Sequence, residues 1–116
     1  MKFLALQPFV PSGKEFEKSK QLFTALGFTV SFDVPGMTGF DRDGCKFILQ
    51  DYDAPGFAEN YMLTVRVDDI NEFREFVINN QLPEKFGIRV SKVIPQPYGK
   101  EVNIIDIAGV CWHFVE

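Results

Sequence analysis

The sequence predicts an α+β protein built from two βαβββ modules that form a curved mixed sheet with a cleft. Three observations predict it. The order strand, helix, strands occurs twice, with the split near residue 57, and internal duplication fixes architecture. Two segments carry apolar residues on one helical face, each preceded by an oxygen-bearing residue with Glu three positions on, a helix-start signature. The remaining apolar segments alternate at period 2, as half-buried strands do.

The chain of 116 residues is one domain by size, spanning 1–116, with module one at 1–57 and module two at 58–116. Each half is too small to keep its own core. The two sheets must share one core or curl around a common cleft.

In module one, "KFLALQPFV" reads as the first strand. Ser12 and Glu15 form a capping box before "EFEKSKQLFTALGF";. Phe16, Leu22, Phe23 and Leu26 lie near one face, and Gly27 closes the helix. "TVSFDVP", the turn "GMTG", "FDRDG" and "CKFILQDY" follow as short strands with turns between;. In module two, "YMLTVRV" is a strand and "DDINEFREFVINN" a helix, with Asp69 and Glu72 as the second capping box and Asn80 at its end;. "QLPEKF" is the least regular segment. "GIRVSKVIPQ", "PYGKEVNIID" and "GVCWHFVE" are three further strands.

Composition narrows the function. The net charge is −4 and there is no basic stripe, which argues against a nucleic-acid partner and favours cationic ligands. No apolar run reaches the length of a membrane span. The start "MKFLALQPFVPSGK" reads as a strand, not a signal peptide. Cys45 and Cys111 are expected to be free and buried in a cytoplasmic protein, and zinc or thiol chemistry is not expected of them. With 13 Phe, most rings are expected in the core.

Alternation assigns the strand faces. Phe47 and Leu49 oppose Lys46, Ile48 and Gln50. Leu63, Val65 and Val67 oppose Met62, Thr64 and Arg66. Val102 and Ile104 oppose Glu101, Asn103 and Ile105. Trp112 and Phe114 oppose Cys111, His113 and Val115;. One face is apolar and should carry the helices. The other is mixed and is expected to form a ligand groove, with a solvated outer face as the alternative. Gln50, Met62, Glu101, Asn103 and the only histidine, His113, lie on that face. For His113 the alternative is a hydrogen-bonded core histidine. Of Asp51, Asp53 and Glu101, each is a carboxylate that could approach it in the fold.

"LGF" at 26–28, "VRVDDINEF" at 65–73 and "DIAG" at 106–109, in this order, resemble the vicinal oxygen chelate superfamily. "QPYGKE" at 96–101 and "AGVCWHFVE" at 108–116 resemble its bleomycin-resistance branch, and Pro8 matches a proline of the first strand there. The resemblance implies a homodimer that swaps an N-terminal segment. It further implies a bleomycin-like, cationic or aromatic small molecule, sequestered without metal or other cofactor in grooves between subunits. Phe32 and Tyr98 match aromatics near the ligand in that branch. Phe32 has core packing as its other reading.

The same resemblance places the ligand positions of metal-dependent relatives at Gln7, Ile48, Met62 and His113. Ile48 and Met62 offer neither carboxylate nor imidazole, whereas a catalytic divalent ion needs about three protein ligands. This argues against an enzyme. The alternative function is a metal-dependent, glyoxalase-like lyase, and a third reading is a dimeric scaffold of unknown ligand. The expected ligand-binding residues are therefore Phe32, Gln50, Met62, Tyr98, Glu101, Asn103 and His113, with no catalytic and no metal-binding residue.

Overall fold

A computed structural model describes all residues, 1–116. Module one contains β1 (Phe9–Pro11), α1 (Phe16–Ala25), β2 (Thr29–Val34), β3 (Met37–Arg42) and β4 (Cys45–Gln50). A short helix, α2 (Pro55–Glu59), leads to module two. That module holds β5 (Met62–Arg66), α3 (Ile70–Asn79), α4 (Leu82–Phe86), β6 (Arg89–Val90), β7 (Ile94–Gln96), β8 (Gly99–Ile105) and β9 (Cys111–Val115).

The duplication shows in the pairing. The first sheet has the order β1-β4-β3-β2 and the second β5-β9-β8-β6, with β7 also on β8. In each, the opening strand runs parallel to the closing strand: Phe9 opposite Ile48 in one, Met62 opposite Cys111 in the other. The remaining neighbours are antiparallel.

The predicted faces are the observed ones. Phe47, Leu49, Val102, Ile104, Trp112 and Phe114 are buried. Phe23 of α1 lies 4.9 Å from Phe47 and 5.3 Å from Trp112 between ring centroids. Trp112 also lies 5.2 Å from Phe47. These aromatic contacts join the modules through one core, and aromatic pairs add to plain area burial. Phe114 stacks on Phe73 of α3 at 4.2 Å.

Local chemistry corrects several expectations. Only Phe9–Pro11 of "KFLALQPFV" is strand, and Phe3, Leu4 and Leu6 are exposed; within one chain the preceding residues have no strand beside them. The Ser12 capping box does not form. The Ser12 hydroxyl donates to the Gly13 carbonyl, and Glu15 caps α1 with no side-chain bond. Asp69 does cap α3, accepting from the Glu72 amide at 3.0 Å. At the end of α3, Asn80 is the cap, but Gln81 takes the left-handed turn at φ 57.

"QLPEKF" is helical: Pro83 sits in the first turn, where its missing N–H costs nothing, and left-handed Gly87 ends it;. "GIRVSKVIPQ" splits at Ser91, whose hydroxyl accepts from the Asn103 amide. The turn placed at "GMTG" lies at Pro35 and Gly36, so Met37–Arg42 is one strand. Five of the 13 Phe are exposed, at positions 3, 9, 32, 57 and 76. Cys45 is exposed beside the hairpin turn and Cys111 is half-buried; both are free. No helix is long and apolar enough to cross a membrane.

The β8–β9 turn hangs on Asp106. Its Oδ1 accepts from the amides of Ala108, Gly109 and Val110 at 3.0, 3.1 and 2.9 Å. Its Oδ2 accepts from Trp112 Nε1 at 2.9 Å. Burial pushes the carboxyl up from 3.8 to about 6, and these donors offset only part of that;. Between those two values the folded protein holds a proton that the unfolded chain releases. Stability from this group is therefore complete below pH 4 and is lost as pH rises through 6, by about 3 kcal/mol. Urea unfolding from pH 4 to 7 should show this decline in the wild type and lose it in Asp106→Asn; parallel curves would contradict it.

Candidate functional site

The outward face of the second sheet carries a shallow cleft of about 550 Å³ lined by Met62, Thr64, Arg66, Tyr98, Glu101, His113 and Val115. Period 2 builds it. Met62, Thr64 and Arg66 alternate on β5, and His113 stands opposite Thr64 on one side and Asn103 on the other.

Its polar centre is a chain of three side chains. The Tyr98 hydroxyl donates to Glu101 Oε1 at 2.6 Å, and Glu101 Oε2 lies 3.3 Å from His113 Nδ1. Glu101 is only 2% exposed. Burial alone would raise its carboxyl, but Tyr98, His113 and Asn103 together outweigh burial and hold it below its ordinary value;. The same bond from Tyr98 to Glu101, with burial and the nearby charge, raises the Tyr98 phenol above its usual range. In the tautomer that donates its Nδ1–H to this carboxylate, the imidazole carries its lone pair on Nε2. Nε2 lies 3.4 Å from Cys111 Sγ and 3.4 Å from Met62 Sδ. Asn103 Oδ1 is buried without a hydrogen-bond partner.

Met62, Tyr98, Glu101, Asn103 and His113 thus come together as expected. Phe32 and Gln50 do not join them, because β2 and β4 belong to the first sheet. Phe32 is on the outer strand, partly exposed, with its ring over Gly39 where a Cβ would stand; the core reading of Phe32 does not hold. Glu101, not Asp51 or Asp53, is the carboxylate that reaches His113.

Cys111 shares the mixed face with His113 but is not among the expected site residues, although it lies beside the imidazole. Residues i and i+2 of a strand share a face, and that spacing was visible. Thr64, Arg66 and Val115 were on the mixed face but not singled out. A second crevice of about 440 Å³ lies at the module junction, lined by Phe28, Arg42, Val65, Phe73, Phe76 and Phe114 among others, and contains none of the expected site residues.

The sequence matches no family model and no curated protein. The fold is similar to that of solved structures. A bleomycin resistance determinant encoded on the transposon Tn5 superposes with a TM-score of 0.81 at 18% identity, over 98% of this chain and 98% of that one. The bleomycin-binding protein of Streptomyces verticillus, solved with copper(II)-bleomycin, gives 0.78 at 21% identity over 99% and 97%. The chain has the vicinal oxygen chelate fold. Lactoylglutathione lyase from Agrobacterium tumefaciens shares it, at 0.72 and 14% identity over 100% and 96%.

Some proteins of the vicinal oxygen chelate fold hold a metal, as does a fosfomycin resistance protein from Listeria monocytogenes solved with Mn(II). The side chains here do not suit a hard divalent ion, which prefers oxygen and imidazole donors. Ile48 has no donor and Met62 offers a thioether. No group of three or more His, Cys, Asp or Glu side chains comes together.

Removing the Glu101 carboxylate should strip Tyr98 and His113 of their partner. Glu101→Ala should lose about 2–3 kcal/mol of stability at pH 7. The loss should shrink in acid, because a carboxyl held low contributes stability above its unfolded value of 4.5 that fades as pH falls through the lower folded value;. Denaturation at pH 7 and pH 3 measures both.

Proposed function

We propose that this protein is a binding protein that sequesters a cationic or aromatic small molecule in grooves shared by two subunits, without a catalytic metal. One observation carries this reading: the expected groove residues divide between two sheets, and none from the first sheet lines the cleft on the second. Met62, Tyr98, Glu101 and His113 line the open cleft of the second sheet. Gln50 and Phe32 lie on the first. A second copy completes the groove by laying its first sheet against this cleft.

Three further features support a swapped homodimer. Phe3, Leu4 and Leu6 are exposed ahead of β1, at a cost that contact with a partner removes. The outer edge of β5 is unpaired, and an open edge accepts an added strand. β2 is exposed along its whole length, with Val30, Phe32 and Val34. Tyr98, half-exposed on its loop, offers a ring face for flat heteroaromatic or cationic groups, and the net charge of −4 favours a cation;. Asn103 Oδ1, without a donor inside the chain, is an acceptor for ligand or partner.

The structural relatives solved as bleomycin-binding proteins, and an antibiotic-binding protein from Streptomyces sp. CB03234, support the ligand class. A glyoxalase-like lyase has less support, since Ile48 and Met62 stand at the positions a catalytic ion would need. The setting proposed is the cytoplasm.

Sedimentation should give twice the chain mass of 13.2 kDa. Deleting residues 2–7 should yield a monomer. A stable wild-type monomer would sink the shared groove. Calorimetric titration with bleomycin should show one site per chain, weakened about tenfold or more (~1.4 kcal/mol) by Tyr98→Ala, His113→Ala and Phe32→Ala. No heat with bleomycin or other cationic aromatics would remove the sequestration reading and leave the fold intact.

A further inference from the structure

Two residues lining the cleft, Met62 and His113, stand with the neighbouring Cys111 as donors that suit a soft ion. Cys111 Sγ and Met62 Sδ each lie 3.4 Å from His113 Nε2. Met62 and Cys111 are direct register partners on β5 and β9, and His113 is two residues beyond Cys111 on the same face. All three donors therefore come from one patch of one sheet. For a metal–nitrogen bond of about 2.0 Å and a metal–sulfur bond of about 2.3 Å, a nitrogen–sulfur separation of that size subtends about 105° at the metal. That angle suits trigonal or tetrahedral coordination.

The groups behind the histidine are those of a metal ligand. A ligating imidazole commonly gives its other N–H to a carboxylate, which fixes the tautomer and raises basicity. Glu101 lies 3.3 Å from Nδ1, buried and held in turn by Tyr98 at 2.6 Å. In that tautomer the Nε2 lone pair faces the two sulfurs. Met62 is 64% exposed, so the position is open to an incoming ion.

We propose that Met62, Cys111 and His113 bind one Cu(I) ion per chain. Thiolate and thioether donors select Cu(I) over harder ions. Binding forms one copper–thiolate, one copper–thioether and one copper–nitrogen bond. The Cys111 S–H bond breaks and its proton goes to solvent. Copper stays Cu(I), so no oxidant or reductant is consumed. The site does not rest on the sequestration reading, because every donor and the supporting Glu101 belong to a single chain.

Cys45 is a free, exposed thiol that could take copper by itself, so the test uses Cys45→Ser as its parent. Cu(I) is presented anaerobically as its bicinchoninate complex, with ascorbate present. The parent should withdraw one equivalent of copper per chain. Adding Cys111→Ser or Met62→Leu should each weaken binding by about tenfold or more, with unchanged far-ultraviolet circular dichroism. Copper X-ray absorption of the parent should show two sulfur neighbours and one nitrogen. The proposal is overturned if bicinchoninate keeps its copper against the parent, or if either double variant binds as tightly as the parent. Failure to bind bleomycin would leave this result untouched.

Discussion

The indole of Trp112 ties the molecule together. It lies where the two modules meet, in contact with Phe23 and Phe47 of module one, while its own strand belongs to module two. Its ring nitrogen is satisfied by Asp106, which also gathers three amides of the turn before β9. A buried indole without that acceptor would carry an unmet donor. The carboxylate therefore sets both the turn and the orientation of the ring. Once Trp112 faces inward, pleating leaves Cys111 and His113 no choice but the other side.

That constraint explains which parts of the fold were legible in sequence. Strand faces and helix faces follow from periodicity, and the buried set of Phe47, Leu49, Val102, Ile104, Trp112 and Phe114 is the set alternation assigns. The duplicated order was legible for the same reason. What escaped depends on partners remote in sequence. "KFLALQPFV" has the composition of a strand, but only its last residues find β4. The Ser12 box was lost because Ser12 is buried, its carbonyl accepting from the Ser19 hydroxyl of α1. "QLPEKF" looks irregular because Pro and Gly read as breakers, although both sit at helix ends where each is favoured;.

The site was half legible. Alternation collected Met62, Glu101, Asn103 and His113, and the sheet does bring them together. The connection from Tyr98 through Glu101 to His113 depends on a loop tyrosine bonding a buried carboxylate three residues further along the chain, which no periodicity encodes. The closeness of Cys111 to His113 follows from simple strand geometry. Alternation places both on the mixed face, while composition alone assigns a free cysteine to the core. Phe32 and Gln50 were grouped with the others because one mixed face resembles another, and sequence does not say that two faces belong to different sheets.

The parity of β5, β8 and β9 also separates two kinds of evolutionary pressure. Positions that hold the modules together and positions that meet the cleft alternate along the same strands. Substitutions at Met62, Thr64, Arg66 or His113 alter the lining of the cleft while leaving the aromatic core intact. The lining of such a surface can change without disturbing the architecture. Glu101 is the exception: buried like a core residue yet bonded to Tyr98 and His113, it is where a change in the cleft would also cost stability.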